Sequence, residues 1–288
     1  MLLYGKPCVE EKYAILKDFT EDKKGKLKII FLIIENPDDK ASEVYIRLKK
    51  KKCEELGIET IVYNEKSSPM AIKEFIESAY KTYRLLGYKV GVMIQKPACY
   101  KDLEEIEDIV INPYADVDGT TATSLGLIMK SDTTCNKSLF EPATPKGIMH
   151  LLDYYNIELE SKNVLIINRS SMLGKPLAMM MINKNATVTI AHSKTNNLKE
   201  LCQKSDVIVT GISNPEVFTP DWFKDKAVII DVSTNVDSNG KTSGDIKKEY
   251  YEELSEKKNC KLTPVPGGVG PMTVATLMEN ILIASDLQ

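Results

Sequence analysis

Short, almost continuously apolar runs recur along the first half of the chain and alternate with segments whose apolar positions follow a helical period. Runs of this kind are typical of strands covered on both faces of a parallel sheet. We predict strands at Leu27–Ile34, Ile58–Tyr63 and Val90–Ile94, with helices at Ala41–Leu56 and Met70–Leu86 between them. The alternation predicts an α/β fold with a mainly parallel sheet.

The second half repeats the alternation and has the pattern of a doubly wound, Rossmann-like sheet. Pro176 stands in the first turn of a short helix whose apolar body is Leu177–Ile182, and a last helix is predicted at Pro271–Ala284. The predicted strands are Val164–Ile167, Ala186–Ala191, Asp206–Gly211, Ala227–Val232 and Leu262–Val265. At 288 residues the chain is long enough for two domains, each with its own core.

Composition narrows the class of protein. The formal net charge of −3 argues against a general nucleic-acid binder. Six cysteines without a CxxC or paired-histidine spacing are expected to be reduced thiols of a cytoplasmic protein, and no zinc site is expected. No stretch approaches the roughly 20 apolar residues of a membrane span, and no export signal is expected at the N-terminus.

The turn between Val164–Ile167 and the next helix is a candidate site for the diphosphate of a dinucleotide. Free backbone N–H groups and a helix dipole meet in such a turn. Its glycine pattern is weak, because only Gly174 is present and Asn168 and Ser170 stand at the earlier positions. A structural strand–helix–strand unit that binds nothing therefore stays open.

Charge at the ends of the strands favours NADP over NAD. An NAD site usually has Asp or Glu at the end of the second strand, whereas this strand ends in His192-Ser193-Lys194 and Arg169 follows the first strand. Donors without an acid suit a 2′-phosphate. Thr210–Ile212, at the end of another strand, are candidate neighbours of the nicotinamide ribose or ordinary strand-end residues.

Three polar side chains share one face of the first predicted helix. Ser42, Tyr45 and Lys49 stand at i, i+3 and i+7. They indicate either a proton-handling site or, since Lys49–Lys52 form a basic run, a solvated helix face. A lysine acts as a base only when burial or neighbouring positive charge lowers its pKa. Gln95 follows the third strand and is placed to face a ligand.

A turn-rich loop, Asn112–Gly119, contains two aspartates that flank a valine. Asp116 and Asp118 either bind a metal or form turns, and metal is not expected because no third acidic ligand has a convincing spacing. The carboxylate of Asp118 is also suited to accept two hydrogen bonds from an amino-pyrimidine edge.

Taken in order, these motifs resemble the methylenetetrahydrofolate dehydrogenase/cyclohydrolase family over most of the chain. Thr263–Thr273 (TPVPGGVGPMT) is the most specific match. The others are Ser42-x-x-Tyr45-x-x-x-Lys49-x-Lys51, Ile94-Gln95-Lys96-Pro97, Asp116-Val117-Asp118-Gly119, Pro142–Gly147, Asn168-Arg169-Ser170 and His192-Ser193-Lys194-Thr195.

The resemblance implies an enzyme of one-carbon metabolism with two steps. One oxidises 5,10-methylenetetrahydrofolate with NADP⁺, and the other hydrolyses the 5,10-methenyl product to 10-formyltetrahydrofolate. It implies a homodimer and two domains with a cleft between them: a discontinuous folate-binding catalytic domain (1–141 plus 270–288) and an NADP-binding Rossmann-like domain (142–269).

The resemblance also assigns roles to residues. Lys49 assists proton transfer, Tyr45 orients the folate, Gln95 hydrogen-bonds Lys49, and Asp118 holds the pterin edge. The implied substrate-binding residues are Ser42, Tyr45, Asp118, Pro264, Gly267 and Gly268. The implied cofactor-binding residues are Thr144, Asn168, Arg169, Ser170, His192, Ser193, Thr210, Gly211, Ile212, Thr234, Gly270 and Thr273.

Departures from the family pattern bear on the balance of the two activities and on cofactor preference. Lys96 replaces a leucine beside Gln95 and brings another cation near Lys49, Ala115 replaces a lysine, and Asn168 replaces the first glycine of the cofactor turn. Two other functions stay open: an NADP-linked dehydrogenase of a small hydroxy or amino acid, and a dinucleotide sensor without catalysis.

Overall fold

The structure is a computed structural model that describes most of the chain. The described residues are 1–23, 27–96, 98, 107–132, 134, 139–215, 217–236 and 242–288, and the side chains of 40–42 and 44 are also outside the description. Pro97 and the side chain of Ser42, both part of predicted motifs, therefore lie outside the described residues.

The chain divides into two compact units, each built from segments that are not consecutive. The first comprises Met1–Glu11, Ile128–Lys137 and Pro142–Thr276, and the second comprises Lys12–Leu127, Ser138–Glu141 and Leu277–Gln288. We call them the five-stranded unit and the three-stranded unit after their main sheets. The predicted domain boundaries stay a prediction, because compactness does not show that a segment folds on its own.

The three-stranded unit has a parallel sheet in the order β2-β1-β3. Every residue of β1 is buried, as expected of a strand covered on both faces. Gly57 has a positive φ just after the second helix, a conformation that glycine adopts without strain. The elements are β1 (Ile29–Ile34), α2 (Lys40–Glu55), β2 (Glu59–Tyr63), α3 (Pro69–Leu85) and β3 (Lys89–Ile94).

The five-stranded unit has a parallel sheet in the order β10-β7-β6-β4-β5. Its elements are α5 (Ala143–Tyr154), β4 (Asn163–Ile167), α6 (Gly174–Ile182), β5 (Thr187–Ala191), α7 (Leu198–Lys204), β6 (Val207–Thr210), β7 (Val228–Asp231) and β10 (Lys261–Leu262), with a small antiparallel pair, β8 (Asn235–Val236) and β9 (Thr242–Ser243). The last strand, predicted at Leu262–Val265, is Lys261–Leu262 in the structure. The N–H of Thr263 still donates to the oxygen of Ile229, and Pro264, which has no N–H to donate, follows.

Strand order fixes the ligand-binding edge of this sheet. β4 pairs with β5 on one side and with β6 on the other, so the strands that follow β4 in sequence are added first on one side of it and then on the other. Open parallel sheets bind ligands outside the carboxyl ends of the strands at such a switch point. The turn after β4 and the ends of β5 and β6 are therefore where a cofactor site is expected.

Three helices contain residues of both units: α1 (Gly5–Asp22), α4 (Ala122–Lys130) and α8 (Val269–Leu287). Four apolar residues of α8 form a stripe along the helix, and all four are buried: Val274, Leu277, Met278 and Ile281. Within the described ranges, no helix has the length and apolar character needed to cross a bilayer.

Candidate active site

Lys49 is buried, although it begins a run of four lysines. Its side chain leaves α2 toward β3, and the residue is 8% exposed. Nζ donates to Oε1 of Gln95 at 2.8 Å and to Sδ of Met93 at 3.4 Å. Lys50 and Lys51 are exposed. The interpretation of this helix face as a solvated basic surface therefore does not hold for Lys49.

Burial lowers the pKa of the Lys49 ammonium, while the Asp118 carboxylate and the Cys53 thiol act in the opposite direction. The lowering comes from loss of hydration of the charged form, not from the lysines that follow in sequence. The lowered pKa makes it easier for Lys49 to lose its proton, and the neutral amine can then accept a proton from water.

Gln95 is fixed at both ends of its side-chain amide. Its Nε2 donates to the backbone oxygen of Lys96 at 2.9 Å, which turns Oε1 toward Lys49. Its backbone N–H donates to the oxygen of Ile34 and extends the pairing of β3 with β1 by one residue. The pairing of β3 with β1 therefore fixes the position of the Gln95 side-chain amide, and this amide orients the amine of Lys49.

Lys96, which departs from the family pattern, is paired with an acid. Its Nζ lies 2.9 Å from Oε2 of Glu107, and both side chains are largely buried. The other oxygen of Glu107 accepts from the hydroxyl of Thr120 at 2.6 Å. Lys96 is not among the groups that shift the pKa of Lys49, and its charge is paired with that of Glu107.

The two aspartates of the Asp-Val-Asp-Gly loop have different environments. Asp116 is fully buried and accepts hydrogen bonds from the Thr120 and Thr121 N–H groups and from the Thr121 and Ser124 hydroxyls, so its carboxylate shapes the loop. Among the described residues, no donor hydrogen-bonds the carboxylate of Asp118. That carboxylate is left for a ligand.

Burial raises the pKa of Asp118 to about 6, Lys49 opposes the rise, and the carboxylates of Asp116 and Glu107 add to it. In the described part of the chain no cluster of three or more histidine, cysteine or acidic side chains could hold a metal ion.

Tyr45 lies one turn before Lys49 on α2 and is 43% exposed. An exposed ring beside a buried amine is available for stacking on a planar ligand. A separate open groove of about 990 Å³ lies on another face of α2, lined by acidic and basic side chains including Glu43, Arg47 and Glu54. Lys49, Tyr45, Gln95 and Asp118 do not line that groove.

The turn after β4 is closed by the side chain of Asn168. Its Oδ1 accepts from the N–H groups of Ser170 at 2.8 Å and Gly174 at 3.2 Å, and its Nδ2 donates to the oxygen of Gly211 at 2.7 Å. The hydroxyl of Ser170 accepts from the N–H of Leu173. The sequence-based expectation of free N–H groups is therefore wrong for these three residues, because side chains of the turn satisfy them first.

Gly174 is required at the start of α6 for a steric reason. A Cβ there would collide with the backbone of Asn168. At Gly211 a Cβ would come 2.9 Å from the side chain of Leu173, a contact that a shift of the leucine could relieve. Gly174 is therefore the glycine that the close packing of this turn requires.

Residues at the ends of β4 and β5 form the predicted donor set. Arg169 is exposed, and its guanidinium makes no ion pair or hydrogen bond with the described residues. At the end of β5 the N–H of His192 donates to the Thr195 hydroxyl, and the Nδ1 of His192 accepts from the N–H of Lys194. The exposed Ser193 and Lys194 stand in this tight turn, which contains no acid.

The three residues predicted to border the cofactor at the end of β6 differ in their exposure to solvent. Thr210 is fully buried, and its hydroxyl donates to Oδ2 of Asp245 at 2.6 Å. Gly211 and Ile212 are partly exposed. Any contact of Thr210 with a cofactor would therefore come from its backbone. Thr234, after β7, is exposed.

The backbone geometry of the segment between β10 and α8 explains two of its glycines. Gly267 has φ +111°, and a Cβ at Gly268 would lie 2.7 Å from the oxygen of Pro264. The oxygen of Gly267 accepts from the N–H of Gly5 at 2.8 Å. Gly270 is exposed, and the hydroxyls of Thr144 and Thr273 are 3.2 Å apart.

Two residues of this geometry were missed by the sequence-based predictions. Met93 is apolar and lies within a predicted buried strand, so nothing in the pattern marks its contact with Lys49. Asp245 lies in a polar segment, Ser243–Ile246, and its link to Thr210 crosses 35 residues. Only the fold brings these partners together.

Comparison with known proteins gives a consistent result. Residues 142–288 match the family model described as tetrahydrofolate dehydrogenase/cyclohydrolase, NAD(P)-binding domain. The chain is 41% identical over 256 residues to the bifunctional protein FolD of Lactobacillus acidophilus, covering 88% of this chain and 85% of that one. It is 37% identical over 253 residues to FolD of Thermodesulfovibrio yellowstonii, covering 87% and 84%.

Among solved structures, the bifunctional enzyme FolD, methylenetetrahydrofolate dehydrogenase/cyclohydrolase, from Campylobacter jejuni superposes with a TM-score of 0.86 at 31% identity. The match covers 100% of this chain and 99% of that one. Sequence and fold agree along the whole length, and the chain belongs to the tetrahydrofolate dehydrogenase/cyclohydrolase family.

Proposed function

We propose that this protein oxidises 5,10-methylenetetrahydrofolate to the 5,10-methenyl form with NADP⁺ and hydrolyses the product to 10-formyltetrahydrofolate. The observation that carries the proposal is the buried amine of Lys49, held by Gln95 and accompanied by a carboxylate, Asp118, that no described donor engages. Membership of the family supports the same reaction.

Lys49 is the proton-handling group of the hydrolytic step. Water adds to the one-carbon bridge of the methenyl cation, a proton leaves the added water, and the bond from the bridge carbon to N5 then breaks. The neutral amine accepts that proton, and the ammonium can return it to N5 as the bond from the bridge carbon to N5 breaks. The remaining hydroxyl proton then leaves to solvent, and the bridge carbon becomes the formyl carbonyl. Burial supplies the neutral amine by lowering its pKa.

The other residues of this cluster bind and orient the folate. Asp118 accepts two hydrogen bonds from the amino-pyrimidine edge of the pterin. Tyr45 stacks on the ring system, and Gln95 keeps the amine pointed at the bridge carbon. Ser42 belongs to the same proposed site by the resemblance. Positioning of this kind accounts for much of the catalysis when the substrate supplies the reactive groups.

The five-stranded unit has the residues for NADP. The donor chemistry fits, because Arg169 is exposed without a partner among the described residues and the turn after β5 has a serine and a lysine but no acid. NADP⁺ supplies the hydride acceptor for the first step. When NADP⁺ is bound, Arg169, His192 and Ser193 would hold the 2′-phosphate end, and the 210–212 backbone would border the nicotinamide ribose. By the resemblance, Thr144, Ser170, Thr234, Gly270 and Thr273 complete the cofactor site, and Pro264, Gly267 and Gly268 border the folate.

We further propose that the protein is a cytoplasmic homodimer. The resemblance implies the dimer, and sedimentation velocity on the purified chain would measure it. The thiols of Cys8, Cys53, Cys202 and Cys260 are buried and are not joined by disulfide bonds, which suits a reducing compartment.

An absorbance assay with methylenetetrahydrofolate tests the function, with methenyl formation and decay followed separately for NADP⁺ and NAD⁺. We expect both steps, with NADP⁺ preferred. Oxidation of a small hydroxy or amino acid without folate turnover would favour the alternative dehydrogenase, and cofactor binding without any turnover would favour the sensor.

A further inference from the structure

Asp245 is a fully buried carboxylate that holds the chain at the end of β6. Its Oδ2 accepts from the hydroxyl of Thr210 at 2.6 Å and from the N–H of Ile212 at 3.1 Å. Its Oδ1 accepts from the N–H of Asn214 at 3.2 Å. Three donors from a five-residue stretch, 210–214, therefore converge on one side chain that comes from a remote part of the sequence.

A second buried carboxylate, Asp231, lies beside it at the end of β7. Its Oδ1 accepts from the N–H of Ser233 at 3.1 Å and its Oδ2 from the N–H of Ile246 at 3.0 Å. A Cβ at Gly244 would collide with the Asp231 carboxylate, so only glycine fits at this position beside Asp245 in the sequence. The two side chains thus connect β6, β7 and the segment after β9.

Two buried carboxylates this close do not both carry a charge at low cost. Burial raises the pKa of Asp231 to about 7, and the charge of Asp245 adds to the rise. In the described ranges no lysine or arginine forms an ion pair with Asp245. Asp245 instead accepts three hydrogen bonds from 210–214, so the position of that stretch depends on this side chain.

We propose that Asp245 is a positioning residue for the oxidation step: it fixes the 210–214 segment so that its backbone borders the nicotinamide end of NADP⁺. The inference rests on the proposed function, in which this segment borders the cofactor. It adds a residue outside the predicted cofactor set, acting through Thr210, Ile212 and Asn214. The hydrolysis of methenyltetrahydrofolate needs no hydride acceptor, so the protein has an internal control for this role.

The test compares the two activities in the full-length Asp245→Asn variant. Asparagine replaces one acceptor oxygen with a donor, so at least one of the three donors loses its partner. We expect kcat/KM for methylene oxidation to fall by at least about tenfold, the scale expected when a buried donor is left unsatisfied, with an increase in KM for NADP⁺. Hydrolysis of added methenyltetrahydrofolate should change less than about twofold.

Two further variants keep the test decisive. Thr210→Val removes a single donor at nearly constant volume and should lower oxidation selectively, by about threefold. Asp206→Asn alters a carboxylate at the opposite end of β6, where it accepts from the N–H of Asn163, and should leave the ratio of the two activities unchanged.

Parallel loss of oxidation and hydrolysis in Thr210→Val and Asp245→Asn would overturn the inference, since a merely structural role lowers both. No change in either variant would also overturn it. Absence of both activities in the parent chain would instead overturn the proposed function. NADPH fluorescence titration of the parent and Asp245→Asn then measures the positioning effect without turnover, and equal affinities would overturn the inference as well.

Discussion

The Nζ of Lys49 and the Oε1 of Gln95 are 2.8 Å apart, although 46 residues separate them in sequence. Lys49 lies on helix α2 and Gln95 directly after strand β3, where the β1–β3 pairing fixes the position of Gln95. The amine is buried without an ion-pair partner within 4 Å among the described residues. Its position and its protonation therefore depend on the groups packed around it.

Removal of the Gln95 acceptor tests that dependence. In Gln95→Leu, Nζ retains only the thioether of Met93, a weak acceptor, so the amine is free to turn away from the substrate. We expect kcat for methenyl hydrolysis to fall by at least about tenfold, while KM for NADP⁺ stays unchanged. Stopped-flow absorbance of the methenyl compound measures the first quantity.

Met93→Leu is the matched variant for this experiment. It nearly conserves core volume and removes the second acceptor, with an expected loss of about twofold to threefold. A loss in Met93→Leu as large as that in Gln95→Leu would contradict the assignment of Gln95 as the main holding group.

Folate binding should depend on pH through Asp118. Its pKa is raised to about 6, so the carboxylate that accepts from the pterin edge is present above this pH and is lost as pH falls through it. We expect KM for methylenetetrahydrofolate to rise several-fold between about pH 7 and pH 5. Asp118→Asn should have a high KM that does not vary over the same interval, and a pH dependence identical to the parent's would rule out this role.

Cofactor preference should depend on Arg169. Its guanidinium is exposed and suited to bidentate contact with a phosphate. In Arg169→Ala, we expect KM for NADP⁺ to rise by at least about tenfold and KM for NAD⁺ to change less than about twofold, measured with saturating folate. Lys184→Ala, an exposed cation at the other end of α6, controls for net charge. Equal losses for both cofactors would count against the phosphate assignment.

Much of the architecture follows from local patterns. The apolar runs predicted every main strand, because a strand buried on both faces has few polar residues and its ends are marked by turn chemistry. Pro176 marked the first turn of α6, because proline is tolerated at that position of a helix. The order of strands in the five-stranded sheet follows from the doubly wound topology.

The sequence patterns could not predict the burial and the hydrogen-bond partners of individual polar side chains. Asn168 was identified as a replacement of the first glycine of the cofactor turn, and the structure adds that its side chain accepts from N–H groups of that turn. Lys49 and Lys50 are adjacent and identical in kind, yet one is buried and the other exposed, since the helix turns them to different sides. Contacts such as Lys49–Met93 and Thr210–Asp245 depend on tertiary packing alone.

Lys49→Gln tests the central claim most directly. Loss of the proton-handling amine should lower kcat for methenyl hydrolysis by about 10² to 10⁴-fold, the usual contribution of a general base, while the dissociation constant of NADP⁺ stays that of the parent. Lys51→Gln, which changes an exposed lysine two residues away, should hydrolyse at the parental rate. Hydrolysis by Lys49→Gln at the rate of Lys51→Gln would contradict the account.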